Sequence, residues 1–308
     1  MSAILEIRNV SKAYANHVAL HDVSMLVERQ SIFGLLGPNG AGKTSLIRII
    51  NQITGPDKGE LLFDGQRLAP QHIAHIGYLP EERGLYKKME VGEQALYLAQ
   101  LKGLSHADAV KRIRYWFEKF EMQTWWNKKV EELSKGMQQK VQFIVTLVHE
   151  PQLLILDEPF TGFDPINASL IRDELLALNR AGTTIMLSTH RMETVEELCT
   201  HIALINKSRK VLDGAVNQLR KSFKTNIFQL DYVGDASTLV KLLSPRFELL
   251  SNAAASDNNV ATLRIPETED ANSLLRHLLG ELQIIGFKAL YPSMNDIFIE
   301  AVKKEELI

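Results

Sequence analysis

The sequence predicts an α/β protein with a mainly parallel sheet in a large first domain, followed by a small α+β domain. Over about the first 220 residues, short apolar runs alternate with segments of helical period, which is typical of strands that alternate with helices. Some runs, such as residues 153–156, are apolar without a break, as in strands buried on both faces. Near Ser222 the pattern changes, so we expect domains over residues 1–222 and 223–308.

Length and composition agree with two folded domains and exclude several classes of protein. The 308 residues are 45% apolar, which suffices for a real core, and the net charge of −2 gives no basic signal, so no nucleic-acid partner is expected. Cys199 is the only cysteine, which excludes an internal disulfide and favours a reducing cytoplasm. No apolar run approaches the length of about 18 residues that spans a bilayer, and the N-terminus lacks a signal-peptide pattern. Any link to a membrane is therefore expected to go through a partner.

The strongest motif covers residues 37–45, which read G-P-N-G-A-G-K-T-S and fit G-x-x-x-x-G-K-[ST]. An apolar run leads in at 32–36, and helical spacing follows from Leu46. Glycines let backbone amides close around phosphate oxygens, and the helix adds free N–H groups and its positive dipole end. A glycine turn before an ordinary helix is the alternative, but this context favours nucleoside triphosphate binding and a P-loop NTPase fold.

Within this loop, Lys43 is expected to reach the β and γ phosphates and Thr44 to supply a hydroxyl to Mg²⁺. Such a site would bind a nucleoside triphosphate together with the metal. The predicted phosphate-binding residues are Gly37, Pro38, Asn39, Gly40, Ala41, Gly42, Lys43, Thr44 and Ser45.

Two strands are predicted ahead of the loop. Residues 4–8 alternate and predict an edge strand, residues 9–16 a turn, and residues 18–27 a second strand. Tyr14 lies in the predicted turn. An aromatic residue there is usually a lid over local core, and a platform on which a base stacks is the alternative.

A helical block interrupts the alternation of strands and helices. Helical period and cap residues predict helices over about 91–103, 105–120 and 134–150. Because the block lies between predicted strands, it indicates an inserted helical subdomain over about residues 84–150.

Two later strands end in residues that can carry chemistry. The run 153–156 is followed by Asp157 and Glu158, and the run 184–187 leads to His190. Asp157 is expected to hold Mg²⁺ directly or through water, and Glu158 to polarise an attacking water. Beside a γ-phosphate, His190 would donate a hydrogen bond to developing charge. The alternatives are two solvated carboxylates at a strand end and a structural histidine.

The second domain shows the order β-α-β-β-α-β, which predicts a ferredoxin-like fold over 223–308. Its charged residues are scattered and no catalytic spacing occurs, so an accessory or interaction role is expected. The predicted strands cover 227–233, 247–250, 260–265 and 284–290, the helices 236–243, 272–282 and 296–302, and a turn 251–259.

These features together resemble one family. Residues 133–139, L-S-K-G-M-Q-Q, look like the signature motif of ABC-transporter ATPases, and they precede the strand that ends at Asp157, as in that family. Residues 160–165 resemble its D-loop, His190 its switch histidine and Tyr14 its aromatic A-loop. The resemblance covers about residues 3–220, and residues 291–298 look like part of the small domain appended to ATPase subunits of ABC-2-type exporters.

The resemblance implies the ATP-hydrolysing subunit of an ABC exporter, using ATP and Mg²⁺ and attached through a multi-span membrane permease to the inner face of the cell membrane. In the family, Ser134 and Gly136 complete the ATP site of the opposite subunit, and the D-loop adds Asp164. The chain has one phosphate loop and no internal repeat, so a head-to-tail homodimer is expected. A soluble ABC-type ATPase that acts as a regulator, or on ribosomes or nucleic acid, is the alternative.

Several residues depart from the family pattern, and one departure is Arg29-Gln30-Ser31, which replaces the usual turn glycine and glutamate before the phosphate-loop strand. Lys135 and Met137 replace a glycine and the glutamine of the strict signature, and Glu81 stands where the Q-loop glutamine usually lies. The resemblance makes Glu81 a third metal-site residue beside Thr44 and Asp157. We expect its charge to tie closure of the site to Mg²⁺ more tightly than a glutamine would, unless it points to solvent.

Overall fold

The computed structural model describes residues 2–82, 84–223, 226–243, 245–254 and 258–306. Contacts divide the chain into two units. One comprises the residues up to Val216 and those from Ala301 onward, and the other comprises Asn217–Glu300.

The first unit follows the α/β order that the sequence predicts. Short 3₁₀ turns lie at Pro70–His75, Gln123–Trp125 and Val130–Glu132. The strands and helices are β1 (Ala3–Tyr14), β2 (His17–Glu28), β3 (Ile32–Leu36), α1 (Lys43–Ile50), β4 (Lys58–Phe63), β5 (Gln66–Arg67), β6 (Ile76–Leu79), α2 (Val91–Leu101), α3 (His106–Lys119), α4 (Lys135–Leu147), β7 (Leu153–Asp157), α5 (Pro165–Arg180), β8 (Thr184–Ser188), α6 (Met192–Leu198), β9 (His201–Asn206) and β10 (Arg209–Ala215).

A six-stranded sheet forms the centre of this unit, in the order β10-β9-β3-β8-β7-β6. The pairs from β9 to β6 are parallel, and β10 is antiparallel to β9. Every residue of β3, β7 and β8 is buried. The prediction of a mainly parallel sheet with buried strands is therefore confirmed, and because parallel strands point the same way, their carboxyl ends share one edge.

A second, antiparallel sheet has the order β2-β1-β4-β5. Here the prediction of a short edge strand followed by a turn is wrong, because β1 continues to Tyr14 and lies between β2 and β4. Asn9 has a φ of 50°, and the register shifts beyond Ile7, so the strand passes its polar stretch as a bulge. Side chains stabilise the bulge, since Ser24 Oγ accepts from the Asn9 N–H at 2.8 Å.

Three helices, α2, α3 and α4, lie between β6 and β7 in the chain. Ser105 begins α3 as its N-cap, accepting from the Asp108 N–H at 3.1 Å. Gly92 of α2 lies against Trp126 so closely that a Cβ there would be 2.4 Å from the ring. Among the described residues, no helix has the length and apolarity that crossing a bilayer requires.

The second unit carries a four-stranded antiparallel sheet in the order β12-β13-β11-β14, which is the strand order 2-3-1-4 of a ferredoxin-like fold. The predicted turn over 251–259 is partly wrong, because β12 continues to Ala254; residues 255–257 lie outside the described residues. The elements from the end of the first unit are α7 (Val216–Ser222), β11 (Ile227–Val233), α8 (Ala236–Leu243), β12 (Glu248–Ala254), β13 (Asn259–Arg264), α9 (Ala271–Leu278), β14 (Gln283–Leu290) and α10 (Met294–Glu306).

Candidate nucleotide site

The loop between β3 and α1 has a backbone that only glycine adopts without strain. Gly37, Gly40 and Gly42 have φ values of 150°, 79° and 117°. A Cβ at Gly37 would lie 2.2 Å from the Ile205 carbonyl oxygen, and one at Gly42 would lie 2.2 Å from that of Ala19. Conformation therefore favours glycine at all three positions, and the close approach of β9 and β2 requires it at Gly37 and Gly42.

Helix α1 begins directly after this loop, at Lys43. Its N-cap, Gly42, offers no side-chain cap, and its first turn has no acidic residue. The first N–H groups of a helix have no intrahelical partners and mark its positive end. This helix end is suited to an anion, and the flanking glycines leave its approach open to phosphate oxygens.

The Lys43 ammonium lies folded onto the loop. Its Nζ donates to the carbonyl oxygens of Gly37 at 2.7 Å and Pro38 at 3.1 Å, and the residue is only 8% exposed. Burial lowers the pKa of Lys43, while nearby carboxylates, first that of Glu158, oppose the shift. The loop thus holds a desolvated cation beside several acidic groups.

Asp157 and Glu158 follow each other at the carboxyl end of β7 but differ in surroundings. Asp157 is 4% exposed, and burial raises its pKa, with the charges of Glu81 and Glu158 adding to the effect. Glu158 has a φ of 50°, and its N–H donates to the Ser188 carbonyl oxygen at 2.8 Å. This left-handed backbone turns the chain at Glu158, so that the two carboxylates leave the strand end in different directions.

Two residues after β8 hold the Glu158 carboxylate. Oε1 accepts from the His190 N–H at 3.0 Å and lies 2.6 Å from Nδ1 of the same residue, and Oε2 accepts from Thr189 Oγ1 at 3.2 Å. The contact at Nδ1 is a hydrogen bond whose donor depends on the tautomer of His190. Where Nδ1 is the donor, a hydrogen bond from Nε2 to a further acceptor requires both ring nitrogens to be protonated. The arrangement fixes the orientation of Glu158, and sequence reasoning missed Thr189, for which no motif signals a role.

These groups line one cavity of about 430 Å³ at the edge of the central sheet. Of the residues that the sequence singled out, Tyr14, Glu81, Asp157, Glu158, His190 and six of the nine loop residues meet there. Sequence reasoning missed His17, Ala19 and Thr161. The lining residues are Tyr14, His17, Ala19, Asn39, Gly40, Gly42, Lys43, Thr44, Ser45, Glu81, Asp157, Glu158, Thr161 and His190.

Tyr14 is the last residue of β1 and stands at the mouth of this cavity. It is 41% exposed, and the Lys12 Nζ lies 5.4 Å from its ring centroid. An exposed ring is not a lid over local core, and the alternative of a platform for a base stays a prediction. His17 pairs with Tyr14 across the hairpin, so recognition of that hairpin in the sequence would have found His17.

Three residues singled out by the resemblance do not line the cavity of their own chain. Ser134 is the N-cap of α4, where its Oγ accepts from the Met137 N–H at 3.3 Å, and Gly136 has no atom within 4 Å of a built Cβ. Asp164 is the N-cap of α5 and accepts from two backbone N–H groups, and the bond from the Asn167 N–H is the main cause of its lowered pKa. The N-terminal end of α4 is thus capped by the side-chain oxygen of Ser134, and that of α5 by a side-chain oxygen of Asp164.

Helix α4 nevertheless contacts two segments of the cavity. The side-chain amide of Gln139 donates to the Thr161 carbonyl oxygen, and that of Gln142 donates to the Glu82 carbonyl oxygen at 3.4 Å. Gln139 thus contacts the segment that follows Glu158, and Gln142 contacts the segment that contains Glu81.

The oxygen donors in the cavity fit Mg²⁺ rather than a transition metal. Thr44, Glu81 and Asp157 offer a hydroxyl and two carboxylates, which are hard ligands. Within the described ranges, no group of three or more His, Cys, Asp or Glu residues could hold a metal by itself. Because Mg²⁺ is commonly held by one or two carboxylates together with substrate phosphates, this donor set suits a metal that arrives with a triphosphate.

Two family models match the chain. Residues 20–161 match the model described as ABC transporter, and residues 214–302 match that of the ATP-binding protein DrrA1-3-like, C-terminal domain. The second match covers the ferredoxin-like unit.

Two similar proteins and one solved structure agree with these family matches. An ABC transporter ATP-binding protein of Bacillus subtilis (strain 168), YhaQ, is 39% identical over 97% of this chain and 98% of its own length. Nod factor export ATP-binding protein I of Cupriavidus metallidurans is 37% identical over 71% of this chain and 73% of its own length. A solved ATP-binding subunit of an ABC transporter has a TM-score of 0.67 at 31% identity, covering 71% of this chain and 93% of that one.

Proposed function

Since this chain belongs to the family of ABC transporter ATP-binding proteins and is an ATPase of that family, we propose that its ATP hydrolysis powers export by a separate, multi-span membrane permease. The cavity in which the phosphate loop, Asp157, Glu158 and His190 meet carries this proposal. Export is supported by the similarity to the Nod factor export protein and by the DrrA1-3-like C-terminal match. The chain would act in the cytoplasm, attached to the inner face of the membrane through the permease.

Binding of ATP would use three parts of the cavity. The adenine stacks on Tyr14, the phosphates follow the backbone of residues 37–45, and Lys43 turns from the loop carbonyls to the β and γ phosphates. Mg²⁺ would be held by Thr44, Asp157 and Glu81 and would neutralise phosphate charge.

Hydrolysis would use the side chains at the ends of β7 and β8. Glu158 accepts a proton from a water whose oxygen attacks the γ-phosphorus, and the bond to the β-phosphate oxygen breaks to release ADP and phosphate. Its contacts with Thr189 and His190 hold the carboxylate in one orientation. His190 as imidazolium donates to the charge that develops on the γ-phosphate.

A second copy would complete each site. Ser134, Gly136 and Asp164 lie at the N-terminal ends of α4 and α5 and do not line their own cavity. In a head-to-tail homodimer, the end of α4 binds the γ-phosphate held by the opposite chain. The glutamine contacts of α4 with Thr161 and Glu82 then link that event to the chain's own cavity.

Purification of the chain from its own cells tests the transport role. The Glu158→Gln variant, locked with ATP, should copurify with a multi-span membrane protein, and wild-type ATPase activity should change when that protein is added in lipid vesicles. Sedimentation with ribosomes or retention on nucleic acid, without a membrane protein, would instead support a soluble regulator.

A further inference from the structure

Strand β12 forms one edge of the sheet in the second unit. Among the described strands, only β13 pairs with it, in the register Ser251 to Thr262 through Ala254 to Asn259, so its outer side has backbone N–H and C=O groups without a partner among those strands. Along Glu248–Ala254, every residue except Leu249 is exposed. Within the described part of the second unit, this edge is therefore exposed and no further strand covers it.

The edge lacks the features that normally prevent strand pairing. After Glu248 its sequence is Leu-Leu-Ser-Asn-Ala-Ala, with no charge, no proline and no glycine, whereas natural edge strands commonly carry charges, prolines or bulges. Its one register shift lies between Leu249 and Ser251, which leaves 251–254 regular. The opposite edge, β14, carries an exposed Lys288 and an irregularity within its pairing to β11.

We propose that the free edge of β12 pairs antiparallel with the same edge of a second copy of this chain, joining two four-stranded sheets into one sheet of eight. A strand that meets its own copy across a twofold axis presents matching donors and acceptors at every second residue, where its N–H and C=O groups point outward. Ser251, Ala253 and Ala254 are small and uncharged, so two copies approach without repulsion. A charged peptide or a membrane surface would find no complementary charge along residues 249–254.

The size of this contact assigns it a supporting role. Pairing of one short strand buries less than the roughly 1,000 Å² of a typical stable interface, so it dimerises the chain only weakly by itself. The proposed ATP-driven homodimer already supplies a second copy, and two linked contacts raise each other's occupancy through effective concentration. The pairing itself needs no nucleotide, so it stands or falls separately from the hydrolysis mechanism.

Charges on the edge test the pairing in the full chain. Ser251→Lys with Ala253→Lys puts two lysines on one face of β12, so the lysines of one copy would lie close to those of the other across the axis. We expect the dissociation constant of the ATP-bound Glu158→Gln dimer, measured by sedimentation, to rise about tenfold. The matched control, Ser251→Thr with Ala253→Val, keeps a neutral strand and should leave it unchanged. Equal dissociation constants for the lysine pair and the control would overturn the proposal.

Cysteine cross-linking gives a readout that does not depend on ATP. Single cysteines at 250–254 are introduced into the Lys43→Ala chain and oxidised without nucleotide. The native Cys199 is buried, and burial raises its pKa to about 12, so it does not compete. Pairing about a twofold axis predicts disulfide dimers at one or two adjacent positions. Uniformly weak dimers at all five positions, or capture of a different protein by these cysteines in cells, would show that β12 does not pair with its copy.

Discussion

The central sheet of the first unit and the sheet of the second unit expose different parts of their strands. Strands β3, β7 and β8 are buried along their whole length, so their polar groups lie at the ends, next to the nucleotide cavity. In β11, Leu230 and Tyr232 are buried while their neighbours are not. The second sheet thus has one face in its core and one face open to water.

This difference explains why residue types indicate function in one unit and not in the other. At the end of a strand buried on both faces, a carboxylate such as Asp157 is costly and stands out against its apolar run. On an open face, polar residues such as Gln229 and Asp231 are ordinary, and they bond to each other. In the second unit, the feature that we propose to bind a partner is the main-chain edge of β12, which side-chain motifs do not reveal. Four experiments test whether the chemistry is confined to the first unit, in order of decreasing expected effect.

Replacement of Lys43 should have the largest effect. Lys43→Ala removes the only side-chain cation of the phosphate loop, and we expect Mg-ATPase activity to fall at least about 1,000-fold. Lys102 is a matched control, since it is half-buried, has a pKa that burial lowers and donates to two carbonyl oxygens, those of Ile73 and Ile76, but does not line the cavity. Lys102→Ala should lower thermal stability and retain activity. Unchanged activity in Lys43→Ala would refute the assignment of the cavity.

Glu158→Gln should separate hydrolysis from binding. An amide cannot accept the proton of the attacking water, so we expect the rate of hydrolysis to fall about 100- to 1,000-fold. ATP affinity, measured by equilibrium binding, should remain, and an ATP-bound dimer should accumulate. Asp157→Asn is the comparison, because loss of a metal ligand should weaken Mg-ATP binding itself. If both variants lose affinity equally, Glu158 belongs to the metal site.

The sequence predicted more of the fold than of the fine structure of the site. The apolar runs at 153–156 and 184–187 suffice to predict the buried parallel strands. The extent of β1 was not predictable, because a bulge at Asn9 and a bond from its N–H to Ser24 depend on the neighbouring strand. The same holds for Thr189, whose hydroxyl acquires its role only when β8 lies beside β7.

Removal of the second unit should affect association more than binding. A chain ending at Ser222 keeps every residue that lines the cavity, so we expect ATP affinity within about twofold of the full chain and a dimer about tenfold weaker. The deletion also removes the residues from Ala301 onward that group with the first unit, so thermal stability is measured in parallel. The Ser251→Lys and Ala253→Lys chain is the control, and its dimer should weaken to a similar degree. An insoluble or non-binding product would show that the predicted boundary between residues 222 and 223 is wrong.

Glu81→Gln should have the smallest effect, confined to the response to Mg²⁺. Glu81 lines the cavity, and its charge contributes to the raised pKa of Asp157, so it repels a triphosphate unless a metal lies between them. A neutral amide removes both the repulsion and a strong metal ligand. We therefore expect the Mg²⁺ concentration at half-maximal ATPase activity to rise about three- to tenfold, while ATP binding without Mg²⁺ improves. Glu82 is the adjacent exposed acidic residue and does not line the cavity, so Glu82→Gln controls for a general change in charge. Identical Mg²⁺ curves for wild type and Glu81→Gln would make Glu81 a solvated surface residue and leave Thr44 and Asp157 as the metal site.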